Sequence, residues 1–314
     1  MFWAALSDSM TAHVTENRTI AILPHKPSSI VMGCAETSRS ASTSDHEVVS
    51  YDGGMSDSKS PVYRAPADDP AMAVAMRKAR ATFKYLWREL TWEYRRIVPA
   101  VELAAVKAAF GDAGGGPDDV EHMWLGEIHF DGDAIGATLL NEPNQVRSVR
   151  AGDGITLAPD QIEDWMYVMG GRVYGGFTIH TMRARMSLTE RRAHDEAWGF
   201  DFGDPNHVAL VPSWTPGADP EAEHPMSENM AQGLAEAIDA NPVAFLVEAD
   251  ERGLTTLHSL ALGGSAAGVR VLLEKGADPS QRTKSGKTAR DFAEQMGWPR
   301  VIELLNAAER RGRA

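Results

Sequence analysis

The sequence predicts an α+β fold in two parts: a small antiparallel β-barrel-like domain covered by an N-terminal helix, then an all-α stack of helical repeats. Three observations lead to this prediction. Short strand-like segments separated by Gly and Asp turns recur about every ten residues between positions 121 and 183. A helical stripe of apolar residues precedes them, and a self-similarity with a period of 33 residues follows them.

The composition limits the classes of function. The chain has 314 residues, of which 43% are hydrophobic, enough for two modest domains. Its net charge of -13 repels phosphate backbones, so nucleic acid is not expected as a partner. Cys34 is the single cysteine, which rules out an intramolecular disulfide or a thiolate metal cluster. No stretch approaches the ~18 apolar residues of a membrane span. These features predict a cytoplasmic protein without a cofactor or a membrane partner.

Residues 1–66 predict a disordered extension, because Ser and Thr dominate much of the segment and it shows little periodicity. A secretory signal has basic residues before its apolar segment, and the apolar opening of this chain has none. A lipoprotein-like box ends at Cys34, but His25, Lys26 and Pro27 interrupt the apolar segment that such a signal needs. Met55 is an alternative first residue, so the native status of residues 1–54 stays open.

Order is expected from about residue 67. Asp69 and Pro70 form a typical helix start, since the carboxylate can cap the helix and proline fits its first position. Apolar residues then recur at helical spacing, at Met72, Met76, Ala79, Phe83, Trp87 and Leu90. A second, irregular helix is predicted over residues 99–110, ending at a glycine-rich breaker.

The strand-rich block predicts an antiparallel meander that curls into a small, partly open barrel with nothing helical inside it. In its first strand, residues 122–130, simple alternation places Trp124, Ile128 and Phe130 on one face and Met123 and Leu125 on the other. Asp131-Gly132-Asp133 turns the chain into a hairpin. Further strands are predicted at residues 135–140, 146–149, 155–158, 160–169 and 172–177.

Motif words in this block resemble the bacterial domain-of-unknown-function family numbered 2314. They are Glu121-His122-Met123-Trp124-Leu125, Asn141-Glu142-Pro143, Gly152-Asp153, Asp164-Trp165-Met166-Tyr167 and Gly175-Gly176-Phe177-Thr178. The resemblance covers about residues 68–186 and sets a domain boundary at 67–186. It implies no particular activity, and it implies a companion ankyrin domain.

Polar and aromatic residues of the block form a candidate binding surface: Glu121, Trp124, Asn141, Glu142, Asp164, Trp165 and Tyr167. Two interpretations stay open. Glu142 and Asp164 could meet as an acid and a base across the barrel mouth, or each could cap a turn. Asp164, Trp165 and Tyr167 could equally form a capped strand with buried aromatics. His122 and His129 are seven apart, which places them on opposite faces of a regular strand and disfavours a metal pair.

Residues 187–225, which we call the connecting strap, are rich in proline and carry Trp198, Phe200, Phe202 and Trp214. A free linker rarely contains four large aromatics, so this segment is expected to lie along a domain surface.

Residues 226–314 predict an ankyrin repeat domain. The segment that begins at Gly253 aligns with the one that begins at Gly286, a spacing of 33 residues, which is the ankyrin period. Expected structural residues are Gly253, Thr255, Leu257, His258, Gly286 and Thr288, with His258 bonding the turn of its own repeat. A helix pair with Met230, Leu234, Ile238, Phe245 and Leu246 predicts a degenerate first repeat. Because about three repeats are marginal alone, the stack is expected to dock on the first domain.

Two functional classes follow. The first is a non-enzymatic adaptor in which the ankyrin stack binds an unidentified partner protein; an immunity or antitoxin-like inhibitor is one version, since an acidic protein can cover a basic one. The alternative is small-ligand binding or weak hydrolase activity at Asn141, Glu142 and Asp164.

Overall fold

The computed structural model describes residues 69–114, 119–213 and 219–312. The predicted extension 1–66, with Cys34 and Met55, lies outside these residues, and so does Trp214 of the connecting strap. The first domain consists of helix α1 (Pro70–Glu93), then strands β1 (Val101–Gly111), β2 (Val120–Phe130), β3 (Ile135–Leu139), β4 (Gly154–Leu157), β5 (Ile162–Met169) and β6 (Arg172–Gly175), and helix α2 (Phe177–Arg183).

The remaining elements are helical. Helix α3 (Leu188–Trp198) opens the connecting strap. The repeats follow as α4 (Pro225–Ala240), α5 (Pro242–Leu246), α6 (Thr256–Leu262), α7 (Ala266–Glu274), α8 (Ala289–Met296) and α9 (Pro299–Gly312). In the part of the chain that the structure describes, no helix combines the length and the apolar character of a bilayer span.

The six strands form one antiparallel sheet in the order β4-β3-β2-β1-β5-β6. Strands β4 and β6 are the two edges, so the sheet is not closed into a barrel. The predicted fold class is confirmed. The predicted meander is only partly present, because β5 pairs with β1 and not with β4, and the sheet stays open instead of curling into a barrel. The short edge strand β4 has only four residues, a common way of limiting edge pairing.

Helix α1 covers one face of this sheet. Asp69 caps it by accepting a hydrogen bond from the Ala71 N–H at 3.0 Å, and Pro70 occupies its first turn as predicted. Ala79, Phe83 and Leu86 are buried against the sheet, and the Ala79 carbonyl accepts the indole N–H of Trp165. The predicted helical stripe is therefore a core-facing stripe.

The helix predicted over residues 99–110 is wrong, because these residues form β1. The stretch is rich in alanine, which favours helices locally. In the fold, however, β1 is a central strand that pairs with β2 on one side and β5 on the other. Ladder hydrogen bonds on both edges override the local preference.

A β-bulge corrects the predicted faces of β2. Glu127 has a φ of 51°, and the pairing with β3 shifts between Gly126 and His129. The extra residue reverses the alternation, so Met123 and Ile128 are both buried in the same core, and Trp124 points to the other face. His122 and His129 consequently lie on the same, exposed face, whereas simple alternation had placed them on opposite faces.

The block between residues 121 and 183 also contains helix α2, which strand periodicity did not predict. The segment 146–149, predicted as a strand, is irregular. The strands predicted at residues 155–158, 160–169 and 172–177 correspond to β4, β5 and β6, although β6 ends at Gly175.

The connecting strap lies along the β6 edge. Val173 donates to the Asp201 carbonyl at 2.9 Å, and Gly175 donates to the Ala209 carbonyl at 2.8 Å. Phe202 packs with Met166 of β5 in a second small core on the sheet face opposite α1. The strap thus covers one sheet edge and part of one sheet face.

The repeats share a continuous hydrophobic core with the first domain. Leu234 and Ile238 of α4 are buried, and α4 and α5 stand where a degenerate first repeat was predicted. Helix α6 packs on α8, and α7 packs on both α4 and α9. The repeats therefore dock on the first domain, as predicted, through a shared hydrophobic core.

Candidate binding surface

Asp164 is fully buried and organises the start of α2. Its carboxylate accepts hydrogen bonds from the N–H groups of Trp165, Phe177 and Thr178 and from the Thr178 hydroxyl, at 2.6–2.9 Å. Burial raises the pKa of Asp164, and the hydrogen bonds from Thr178 oppose that rise. All four partners donate, so the geometry suits an ionised carboxylate that caps a helix.

Trp165 and Tyr167 are also fully buried, on the face of β5 that α1 covers. Their rings stack with 6.2 Å between centroids, and the Tyr167 hydroxyl donates to the Leu210 carbonyl at 3.2 Å. A side chain on Gly175, whose φ is 79°, would overlap Trp165. Together with Asp164, these residues form a capped strand with buried aromatics, so they supply no exposed binding surface.

Glu121 and Glu142 hold the loop between β3 and β4. Glu121 accepts the N–H groups of Asn144 and Gln145 at 2.9–3.1 Å, which lower the pKa of Glu121 against the opposing effect of burial. Glu142 accepts the Ala151 N–H at 3.1 Å. Asn141 is exposed at the start of the same loop. These residues lie at the surface, where the two carboxylates bond backbone N–H groups.

The structure separates the two carboxylates that could have worked as acid and base. Asp164 is enclosed under α2, whereas Glu142 is exposed on the β3–β4 loop. They bond different backbone segments, residues 177–178 and residue 151. The sheet therefore does not assemble the acid–base pair, because the barrel mouth that would have joined them does not form.

Trp124 lies partly exposed on the sheet face opposite α1. The ammonium group of Lys107 sits 5.9 Å from its ring centroid, and burial lowers the pKa of Lys107. Nearby, His122 contacts Glu163 with 2.5 Å between Nδ1 and Oε2. Four of the seven predicted residues remain at least partly accessible: Glu121, Trp124, Asn141 and Glu142. The contacts described for Glu121, Trp124 and Glu142 are with different partners.

A different surface, unpredicted in detail, joins the two domains. The turn between β2 and β3, Asp131-Gly132-Asp133, which we call the acidic turn, lies on the repeats. The Gly132 carbonyl accepts from Gln295 Nε2 at 2.6 Å and from Lys287 Nζ at 3.2 Å. Lys287 also pairs with Asp133 at 2.6 Å, and Arg252 pairs with Asp131. The turns before α6 and α8 and one side of α8 are therefore occupied by the chain itself.

A second contact lies along α1. Lys84 Nζ donates to the Gly297 carbonyl at 2.8 Å and pairs with Glu221 of the connecting strap at 2.6 Å. Lys84 Nζ also sits 4.6 Å from the ring centroid of Trp298, which packs edge-on against Tyr85. Burial and the hydrogen bond to Glu221 raise the pKa of Tyr85 well above its usual range, so the phenol keeps its proton.

Buried ionic groups continue this contact towards the end of α1. Glu89 pairs with Arg96 at 2.9 Å and contacts His224 Nε2 at 3.3 Å. The His224 ring stacks on Trp92 with 5.5 Å between centroids, and its Nδ1 accepts the Met226 N–H. These contacts fix α1, the connecting strap and the first repeat to one another.

Beside this network lies a narrow opening that we call the seam cleft. It is formed where the end of α1 meets α4, α6 and the start of α7, and it encloses about 30 Å³. Its lining is mostly apolar, with three hydroxyls and one guanidinium: Trp92, Arg95, Ser227, Met230, Ala231, Leu234, Thr256, Leu260, Ser265 and Gly268.

The repeat turns show why His258 and Asp291 occupy equivalent positions. His258 Nδ1 accepts the Thr255 N–H at 3.2 Å, so Nε2 carries the proton and donates to the Gln281 carbonyl at 3.1 Å. In the next repeat, Asp291 accepts the Thr288 N–H at 2.7 Å. The predicted bond of His258 to its own turn is present, and Asp291 makes the corresponding bond in the next repeat. Gly253 and Gly286 turn the chain with φ of 82° and 83°, and Leu257 is buried.

Sequence reasoning missed the seam cleft and the partners of the acidic turn. The acidic turn was identified only as a hairpin, although two aspartates flanking a glycine give a compact negative group that basic residues can bind. The cleft had no local signal, because residues far apart in the chain form it.

Comparisons with known proteins agree with this two-part architecture. Residues 69–202 match a bacterial family described as "Uncharacterized protein conserved in bacteria (DUF2314)", and residues 246–293 match "Ankyrin repeats (many copies)". A putative ankyrin repeat protein of Neisseria meningitidis serogroup B is 44% identical over 243 residues, 77% of this chain and 95% of that protein. The uncharacterized protein YegJ of Escherichia coli K12 is 35% identical over 75 residues, 24% of this chain and 46% of that protein.

Proposed function

Because this chain belongs to the family of the putative ankyrin repeat protein of Neisseria meningitidis, we propose that it is a non-enzymatic adaptor whose repeats bind a partner protein. Ankyrin repeats are protein-binding modules, and here a DUF2314 domain precedes them. The observation that carries the proposal is the attachment of the repeats to the first domain through the acidic turn, α1 and a shared hydrophobic core. A fixed array presents a preorganised surface, which lowers the entropic cost of binding.

The acidic turn restricts where the partner binds. Arg252, Lys287 and Gln295 on the turn side of the repeats already contact the first domain. The partner therefore meets the remaining repeat surface, which includes α7, α9 and the seam cleft. Exposed charged side chains on the two helices are Arg270, Glu274, Arg300 and Glu303.

The charge of the chain supports a basic partner. Its net charge is -13, and a strongly acidic binding protein attracts a basic protein and speeds their encounter. An inhibitor of the immunity or antitoxin kind, which covers a basic toxin, is the version of the adaptor that this charge favours. Binding of that kind weakens as salt rises, because added ions screen the long-range attraction.

The test is affinity purification of the tagged full-length chain from its native bacterium. Truncation is unsuitable, since the repeats share a core with the first domain. A variant with Ala at Arg270, Glu274, Arg300 and Glu303 changes only exposed side chains of α7 and α9. Its control carries Ala at Arg77 and Lys78, exposed on α1 away from the repeats.

We expect a co-purifying protein whose recovery falls in the repeat variant and not in the control variant. Recovery of no protein that depends on the repeat residues would contradict the adaptor function. A partner lost only in the α1 control would instead assign binding to the first domain.

A further inference from the structure

We propose that the seam cleft binds the C-terminal residue of a partner protein, with an aliphatic side chain in the cleft and the terminal carboxylate on Arg95. This inference rests on the proposed adaptor function and assigns a site to it. The cleft lies where α1 of the DUF2314 domain meets the repeats, on a surface that the acidic turn leaves open.

The cleft has the size and the chemistry of a pocket for one side chain. It encloses about 30 Å³, which admits the tip of an aliphatic side chain and is far smaller than a site for a cofactor. Met230, Leu234 and Leu260 supply apolar walls, and Leu234 is 4% exposed. Burial of an aliphatic group against such walls is favourable.

Arg95 supplies a positive charge that the described chain does not neutralise. Its guanidinium donates to the Thr91 carbonyl and lies 5.6 Å from the Trp92 ring centroid, and no described Asp or Glu forms an ion pair with it. The neighbouring Arg96 differs, since it pairs with Glu89 at 2.9 Å and with Glu93 at 2.8 Å. Burial lowers the pKa of Arg95 to about 10, which reflects a charge held in poor contact with water.

An arginine has five N–H donors in a planar fork that suits a carboxylate. Thr256 and Ser227 add hydroxyls to the cleft wall, and Ser227 Oγ lies 2.6 Å from Ser265 Oγ. A chain terminus offers an aliphatic side chain and a carboxylate from a single residue, which matches a small apolar opening beside one guanidinium. Capture of a C-terminal carboxylate is a recurrent mode of peptide recognition.

Exposed apolar residues next to Arg95 favour a protein segment over a small molecule. Ile97 and Val98 are 75% and 76% exposed, and they follow Arg95 by two and three residues. They lie within about 11 Å of it along the chain. Preceding residues of a bound C-terminal segment can cover them, whereas a small carboxylic acid in the cleft would leave them in water.

The experiment measures fluorescence anisotropy of labelled hexapeptides added to the full-length chain. The test peptide has a Gly-Ser body and ends in Leu with a free carboxylate. Two matched peptides end in Leu with an amide, or in Ser with a free carboxylate. We expect the test peptide to bind at least roughly tenfold more tightly than either matched peptide, because each lacks one of the two recognised groups.

Two variants of the protein check the site. Arg95→Gln removes the charge, and Met230→Glu places a negative charge in the cleft wall; each should weaken binding of the test peptide at least roughly tenfold. Arg77→Gln, an exposed arginine on α1 outside the cleft lining, is the control and should leave binding unchanged. Equal binding of the acid and the amide peptides, or full binding by both cleft variants, would overturn the proposal.

The outcome separates this inference from the adaptor function. A partner recovered by affinity purification that persists with Arg95→Gln refutes the seam site and leaves the adaptor function standing. Specific binding of the test peptide without any recovered partner supports the site and contradicts the adaptor function.

Discussion

Gly132 of the acidic turn lies directly against the ring of Phe292 in α8, so closely that a Cβ atom on Gly132 would overlap that ring. The glycine has a φ of 89°, a conformation that other residues rarely adopt, and Phe292 is fully buried. At this point the backbone of the acidic turn packs directly on the Phe292 ring, and this contact joins the sheet to the repeats.

Gly132→Ala should therefore weaken the interface between the domains. The positive φ costs an alanine about 1 kcal/mol, and overlap with Phe292 adds about 1–3 kcal/mol. Urea unfolding monitored by tryptophan fluorescence measures the loss. Gly152→Ala is the matched control, because Gly152 has a φ of 87° but no neighbouring atoms within 4 Å. An equal loss in both variants would mean that contact with Phe292 contributes nothing.

Asp164→Asn should destabilise the first domain by about 2–4 kcal/mol. Asparagine keeps one acceptor oxygen, but its NH2 group donates and cannot accept, so at least one buried N–H donor loses its partner. Glu163→Gln on the same strand is the control, since Glu163 pairs with the exposed His122 at the surface and its loss should cost under about 1 kcal/mol. Similar unfolding midpoints for the two variants would argue against the capping role of Asp164.

His258→Asp should destabilise the repeats by about 1–2 kcal/mol. An aspartate can still accept from Thr255, as Asp291 does from Thr288, but it cannot donate to the Gln281 carbonyl. Asp291→Asn keeps an acceptor oxygen and should cost less than about 1 kcal/mol. Thermal unfolding compares the two; a smaller cost for His258→Asp would show that the bond to Gln281 adds no stability.

Stability should fall between about pH 6.5 and pH 4 because of His180, which the structure buries in α2 at 2% exposure. Burial lowers the pKa of His180 to about 4. The unfolded chain then binds a proton that the folded chain does not, so folding is penalised as the pH falls through this window. At pH 5 the loss relative to pH 7 is on the order of 2 kcal/mol.

His180→Gln should reduce this pH dependence. Glutamine retains an N–H group for the Pro205 carbonyl, which His180 bonds, but it does not titrate. Urea midpoints at pH 7 and pH 5 give the comparison. If the midpoint of the variant shifts with pH as much as that of the original chain, another group is responsible for the loss.

Sequence patterns predicted the features that depend on local residues. The cap at Asp69, the glycine-bounded turns, the repeat period and the bond of His258 to its turn all follow from neighbours in the chain. β1 did not follow, because its strand conformation depends on pairing with β2 and β5. The faces of β2 were also missed, since one residue with positive φ at Glu127 reverses the alternation.

The short motifs of the first domain predicted its family, but they did not identify an exposed binding surface, because Asp164, Trp165 and Tyr167 are buried. Asp164, Trp165 and Gly175 belong to these motifs, and they contact one another in the core. Arg95 had no signal in the sequence, because its proposed role depends on which of the described residues surround it in space. Such a site becomes visible only after the neighbours from α4, α6 and α7 are known.

Helix α1 touches both domains at once, with Phe83 against the sheet and Tyr85 against Trp298 of the repeats. Neither domain can lose its structure without exposing one side of this helix. The described part of the chain should therefore melt in one calorimetric transition, and the amide protons of α1 should exchange with solvent only through complete unfolding. Fluctuations that open only the repeats or only the sheet will be rare in this molecule.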